Sequence, residues 1–137
     1  MTRFSMALLA ACVALGACSM SEDAAVAEQA VPTFHEQMNA GRFDAIYAGA
    51  ADDLKKTVSQ HDFVELLAAV HRKLGNVTAS DKTGWNINYQ PTGRFVALGY
   101  KTSFEGGGAQ EQFVFRLQDK SAMLVGYDIN SPALILK

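Results

Sequence analysis

Cysteine is nearly absent, with only Cys12 and Cys18 in 137 residues. Both precede Ser19, so the rest of the chain has no disulfide and no thiol chemistry, and its stability must come from a packed core. Positive charge is also scarce. The 12 Lys and Arg are outnumbered by 14 Asp and Glu, a formal net charge of −2, and the signs are interleaved. A chain without a basic patch lacks the electrostatic footprint of phosphate-backbone binding, which excludes nucleic acid as a partner. The apolar run Met6–Ala17 has roughly a dozen residues, too short for a spanning helix, which needs about 20. Metal-binding motifs are missing. There is no HExxH, no CxxC and no acidic calcium loop. His61 and His71 are spaced about 80° out of line on a helix, and His35 has no sequence neighbour to ligate with. Gly106-Gly107-Gly108 lacks the lysine and the following helix of a phosphate loop and reads as a hairpin turn. No metal and no cofactor is expected, and the histidines are expected in surface or capping positions.

The first residues, Met1 to Phe4, carry one charge, Arg3. The apolar run follows, and Ser19 to Asp23 turn polar at once. That order is a secretory leader. The run ends in Leu15-Gly16-Ala17-Cys18, which resembles the lipobox of bacterial lipoproteins. The resemblance implies cleavage before Cys18 and a diacylglyceryl group on its sulfur, giving a membrane anchor of two or three acyl chains. The alternative is an ordinary leader cut after Ala17 that leaves a free thiol. In the families it resembles, Ser rather than Asp after the cysteine favours the outer membrane, facing the periplasm. The expected organisation is a signal peptide over 1–17, a lipidated N-terminus and Ala-rich acidic tether over 18–28, and one domain over 29–137.

Helical signals open the domain. Val31, Phe34 and Met38 share one face, and Pro32 either starts that helix or kinks a longer one from about Ala24. Phe43, Ile46 and Tyr47 form a short segment stopped near Gly49, and Asp52–Val58 adds another turn. Ser59 with Asp62 has the form of a capping box. Phe63, Leu66, Leu67, Val70 and Leu74 then follow as one apolar stripe, with His71, Arg72 and Lys73 in the last turn and Gly75 as the C-terminal stop.

The period then changes to two. Trp85, Ile87 and Tyr89 alternate with Asn86 and Asn88. Phe95–Phe104 puts Val96, Leu98, Tyr100 and Phe104 on one face. Glu111, Phe113, Phe115 and Leu117 alternate with Gln112, Val114 and Arg116, and Met123, Val125, Tyr127 and Ile129 make a last strand. Turns at Pro91–Gly93, Gly106–Gly108 and Asp119-Lys120 join them into an antiparallel meander. Helices first and strands after predict an α+β fold, with N-terminal helices packed on a curved four-stranded antiparallel sheet.

That order resembles the cone-shaped superfamily of nuclear transport factor 2, ketosteroid isomerase and cystatin-like domains. Met38–Tyr47 is similar to a turn common in those proteins, and Ser59–Gly75 to their helix ending in Leu-Gly. Phe104-Glu105-Gly106 and Gly126–Ile129 are similar to late strands of small secreted members of unassigned function. The resemblance covers roughly residues 26–131 and implies a pocket between sheet and helices, whose expected lining is Phe63, Leu67, Trp85, Tyr100 and Phe113.

Three functions follow as expectations. The first is a non-enzymatic, lipid-anchored protein that binds a protein partner or forms a homodimer through its sheet. The second is a carrier of a small apolar ligand in the cone. The third is an isomerase-type enzyme, which needs a buried ionisable group beside a tyrosine donor; Asp44, Asp128, Tyr47, Tyr89, Tyr100 and Tyr127 are the available groups. The apolar tail Ser131–Lys137 either packs back on the domain or presents an edge to a partner.

Overall fold

The computed structural model describes residues 15–136, with side chains from Glu22 onward. The expected leader and the side chain of Cys18 lie outside the described residues. Four helices precede a four-stranded sheet, and a short helix ends the chain. They are α1 (Leu15–Asn39), α2 (Phe43–Ala48), α3 (Asp52–Thr57), α4 (Gln60–Leu74), β1 (Val77–Gln90), β2 (Gly93–Phe104), β3 (Gly107–Gln118), β4 (Ser121–Asn130) and α5 (Pro132–Leu136). The strands pair antiparallel in the order β1-β2-β3-β4. The fold is the expected α+β arrangement of N-terminal helices on a four-stranded antiparallel sheet.

Helix α4 follows its sequence signals. The Ser59 hydroxyl accepts from the Asp62 amide at 3.1 Å, and Phe63, Leu67, Val70 and Leu74 are buried. Leu66 sits at the rim of that stripe and is 47% exposed. The β2–β3 turn docks on the helix C-terminus, where the Gly106 amide donates to the Leu74 carbonyl at 2.7 Å. A Cβ on Gly106 would lie 3.1 Å from the carbonyl oxygens of both Lys73 and Leu74, so a side chain there would push the turn and the helix end apart by a few tenths of an ångström.

Helix α1 is longer than a start at Pro32 would make it. It runs through Pro32 and extends across the segment expected to be a tether. The physical reason is packing. Ala24 and Ala27 are small enough to bury against the sheet, in line with Val31, Phe34 and Met38. Asp23 is buried too. Both its carboxylate oxygens accept from the Arg94 guanidinium at 2.9 Å, and the Tyr89 hydroxyl lies 3.5 Å away. Residues 23–28 are therefore part of the domain's packed layer. Asp23→Ala should release this end first. Amide exchange of residues 23–28 is expected to speed up while α4 keeps its protection, and unchanged exchange there would count against the Asp23–Arg94 clamp.

Paired strand positions place Val96, Leu98, Tyr100, Glu111, Phe113, Phe115 and Leu117 on the face toward the helices. In β4 the alternation breaks. A register shift opposite Val114/Phe115 inserts one residue, so Leu124 pairs with Phe115 and is buried, while Met123 pairs with Arg116 on the other face. A bulge of this kind reverses the facing of every residue before it, which simple alternation through Met123 and Val125 does not anticipate. Strand β1 also begins earlier than its apolar alternation. Val77–Gly84 is mostly polar and exposed, as suits an edge strand. In α5, Ala133 and Leu134 pack against the core, whereas Ile135 and Leu136 are exposed.

Candidate functional site

The sheet's inner face carries one acid in its apolar centre. Glu111 is 1% exposed. A carboxylate there is tolerable only if donors surround it, and three do. The Thr102 hydroxyl donates to Oε1 at 2.5 Å, the Tyr127 hydroxyl donates to Oε2 at 2.5 Å, and His35 Nε2 lies 2.8 Å from Oε1. Because the Thr102 proton is committed to Glu111, the Ser80 hydroxyl must be the donor in its 2.9 Å bond with Thr102. A polarised chain therefore runs from Ser80 through Thr102 to Glu111, with His35 and Tyr127 closing on the same carboxylate.

Each member comes from a different element. His35 is on α1, Ser80 on β1, Thr102 on β2, Glu111 on β3 and Tyr127 on β4. The network thus pins α1 to all four strands. Burial, then the charge and hydrogen bond of Glu111, hold the Tyr127 hydroxyl well above the ordinary tyrosine range. The sign follows from linkage. An unfolded tyrosine releases its proton near pH 10 and the folded one does not, so the contribution is complete below pH 10 and is lost as pH rises beyond it. Tyr127→Phe should flatten the alkaline limb of the stability profile above pH 10, measured by denaturant titration. An unchanged limb would mean that another group controls it.

His35 and Ser80 connect the network to a surface cleft of about 320 Å³ between α1 and β1, bordered also by Glu28, Glu36, Asn39 and Tyr100. With Nε2–H directed at Glu111, Nδ1 of His35 engages no partner among the described residues and can accept a hydrogen bond. Lys82 is ion-paired with Glu28 at the rim. Burial, and the nearby Glu28, push the Tyr100 hydroxyl up from its ordinary value. Glu111 does not reach the cleft: its oxygens face donors, which makes it the group that orients His35, not one that meets a substrate.

Of the five residues expected to line a cone pocket, Trp85 and Phe113 border one hollow of about 310 Å³ across β1–β3, and Tyr100 borders a different one. Phe63 (3% exposed), Leu67 (0%) and Phe113 (0%) are in the core. Phe113 is in ring contact with Phe34, His35, Tyr100, Phe115 and Tyr127, so aromatic side chains fill the centre of the interior around it. Tyr100 borders the His35 cleft, and Trp85 is half exposed at the sheet edge. A separate hollow of about 300 Å³ lies between α1, α2 and the β3–β4 pair, beside Thr33, Gln37 and Ile46.

One histidine also departs from the expected surface or capping positions. His61 is exposed, and His71 is half-buried with Nε2 2.7 Å from Asn76 Oδ1, but His35 is buried. Its partner lies 76 residues away. The available signal was Glu111 itself, an acid in an inward position of an otherwise apolar series. Among the described residues no group of three or more His, Cys, Asp or Glu could hold a metal ion.

The second candidate surface is β1. It pairs with β2 on one side and with nothing on the other among the described residues. Trp85 and Tyr89, on the same face as Leu98 and Arg94, are 50% and 53% exposed. The opposite edge is partly closed, since the Ala51 amide donates to the Leu124 carbonyl at 2.9 Å.

No curated protein matches the chain. The profile of a family described as "Protein of unknown function (DUF4019)" matches residues 30–127, a span that contains the whole Glu111 network and all of β1. The chain belongs to the DUF4019 family.

Proposed function

We propose that this chain is a lipid-anchored, periplasm-facing envelope protein, most consistent with the outer membrane, whose domain is non-enzymatic and binds protein through the open edge of β1. The domain is of the cone-shaped, nuclear-transport-factor-2-like or cystatin-like type. The observation that carries the binding reading is the edge itself. A 14-residue strand with one side unpaired among the described residues offers a row of backbone donors and acceptors, and Trp85 and Tyr89 stand half exposed beside it. An edge of that length is a template for another strand unless something covers it. The interior offers less support for a ligand carrier, because aromatic rings fill its centre around Phe113. The Glu111–Tyr127 pair has the composition that an isomerase needs, but three donors saturate the acid and it faces no opening.

The anchor reading rests on Leu15–Cys18 and on the helical, polar run that joins it to the clamp at Asp23. Cys18→Ala should move the protein from the membrane fraction to the soluble envelope fraction, and unchanged membrane association would refute the anchor. For the edge, tagged full-length chain is cross-linked in intact envelopes. The cross-linked species formed by the wild type should be lost in Trp85→Lys, which sets a charge beside the edge. The same species at the same yield in that variant would remove β1 from the proposal.

A further inference from the structure

Resting on the edge-binding reading above, we infer that the occupant of β1 is a second copy of this chain, paired antiparallel about a two-fold axis at Ile87. The order of side chains along the free edge is self-complementary. Trp85-Asn86-Ile87-Asn88-Tyr89 has the same chemistry read in either direction: aromatic, amide, aliphatic, amide, aromatic. A two-fold axis at Ile87 sets Trp85 opposite Tyr89 of the other copy, Asn86 opposite Asn88, and Ile87 opposite itself. Each pairing is of a kind that stabilises neighbouring strands, namely aromatic on aromatic, amide on amide and β-branched on β-branched. It also brings together the two half-exposed aromatic rings of β1, which lie on one face of the sheet.

The same segment limits the register. Gly84–Gln90 pairs with β2 without a shift, so this half of the strand is regular, whereas shifts at Val77/Ala79 and Lys82/Gly84 distort the other half. No charged residue lies in Gly84–Gln90, so no like charges meet when the segment faces its copy. Beyond it, Pro91 has no amide hydrogen to extend the ladder. A slip by one residue would set Trp85, Ile87 and Tyr89 on the face that carries the asparagines of the other copy, and the matching would be lost. Slips by two keep the faces but pair Trp85 with Ile87 or leave it opposite Pro91. Only the axis at Ile87 matches ring to ring at both ends. The contact is isologous and closes after two copies, leaving each sheet with its partly covered β4 edge outermost.

The test uses the full-length chain in intact envelopes. Asn86→Cys and Asn88→Cys are placed on two differently tagged, co-expressed copies. Both positions are exposed, so the fold tolerates them. Directly opposed Cα atoms are ~4.5–5.5 Å apart, within disulfide range, and diagonal neighbours are ~7–8 Å apart, so oxidation should give about tenfold more cross-linked dimer from the mixed pair than from Asn86→Cys alone. The parent chain, which keeps its own cysteines, sets the background. Equal yields from the mixed pair and from Asn86→Cys alone would overturn this register. A photo-reactive amino acid at Asn86 separates the remaining cases. An adduct at twice the chain mass supports the second copy. An adduct with a different protein overturns the second copy and leaves the edge-binding reading standing. No adduct overturns both.

Discussion

Glu111→Ala is expected to lower the unfolding free energy by about 3–5 kcal/mol, the range seen when one partner of a buried charged network is removed. The cost has two sources. Thr102, Tyr127 and His35 each lose an acceptor, and an unsatisfied buried polar group costs about 1–3 kcal/mol. The deleted side chain also leaves space beside its cross-strand partner Tyr100. Glu111→Gln separates the two. It keeps the volume and one acceptor oxygen, but turns an NH2 toward groups that are donors already. Its expected loss is smaller, about 1–3 kcal/mol, because one or two of the bonds can survive. Denaturant titration at neutral pH checks both, with an unchanged slope indicating that the folded and unfolded states are still the same two. An alanine variant within about 0.5 kcal/mol of the parent would mean that the glutamate is not what holds these three donors.

The same network explains why part of the molecule could be read from sequence and part could not. Helix α4 was legible because its determinants are local: a Ser59 cap three residues before Asp62, a stripe at helical spacing, and Gly75 after the last turn. The meander was legible because its turns are short and its apolar residues alternate. Three features needed information from elsewhere in the chain. The start of α1 depends on the Asp23 clamp to Arg94 and on two alanines fitting the sheet, neither of which the acidic, Ala-rich composition reveals. The inserted residue in β4 is set by its pairing with β3. The His35–Glu111 bond joins elements at opposite ends of the domain. A polar pair in a core leaves only a faint trace in one sequence: an acid where an apolar residue was due. The free edge of β1 left a different trace. Its first half has no apolar alternation because its contacts with α1 and β2 are largely polar, through Ser80 and Lys82, so the strand was recognised only where Trp85, Ile87 and Tyr89 begin.

Phe113→Ala bears on the interior directly, since an open cone and a filled one respond differently. If Phe113 lined an open pocket, truncation would enlarge that pocket at modest cost. In this structure the ring is fully buried and touches five other rings, including a parallel contact with Phe115 at 5.9 Å between centroids. Truncation should therefore cost about 3–5 kcal/mol, the sum of lost transfer energy and a cavity that its neighbours only partly close. Trp85→Ala serves as the contrast, because the larger side chain is half exposed; its expected cost is below about 1 kcal/mol in the protein measured as a monomer. Equal losses would contradict the placement of both residues. The size of the cavity can be read separately. A dry apolar space of about 150 Å³ can take up benzene, so benzene should raise the midpoint of Phe113→Ala by more than it raises that of the parent. If the midpoint of the variant does not move, the surrounding rings have collapsed into the gap, and the stability loss should then fall at the low end of the range. A parent protein that gains as much from benzene as the variant would show that the hollow beside Ile46 and Leu124 takes apolar ligands, and would revive the ligand-carrier reading.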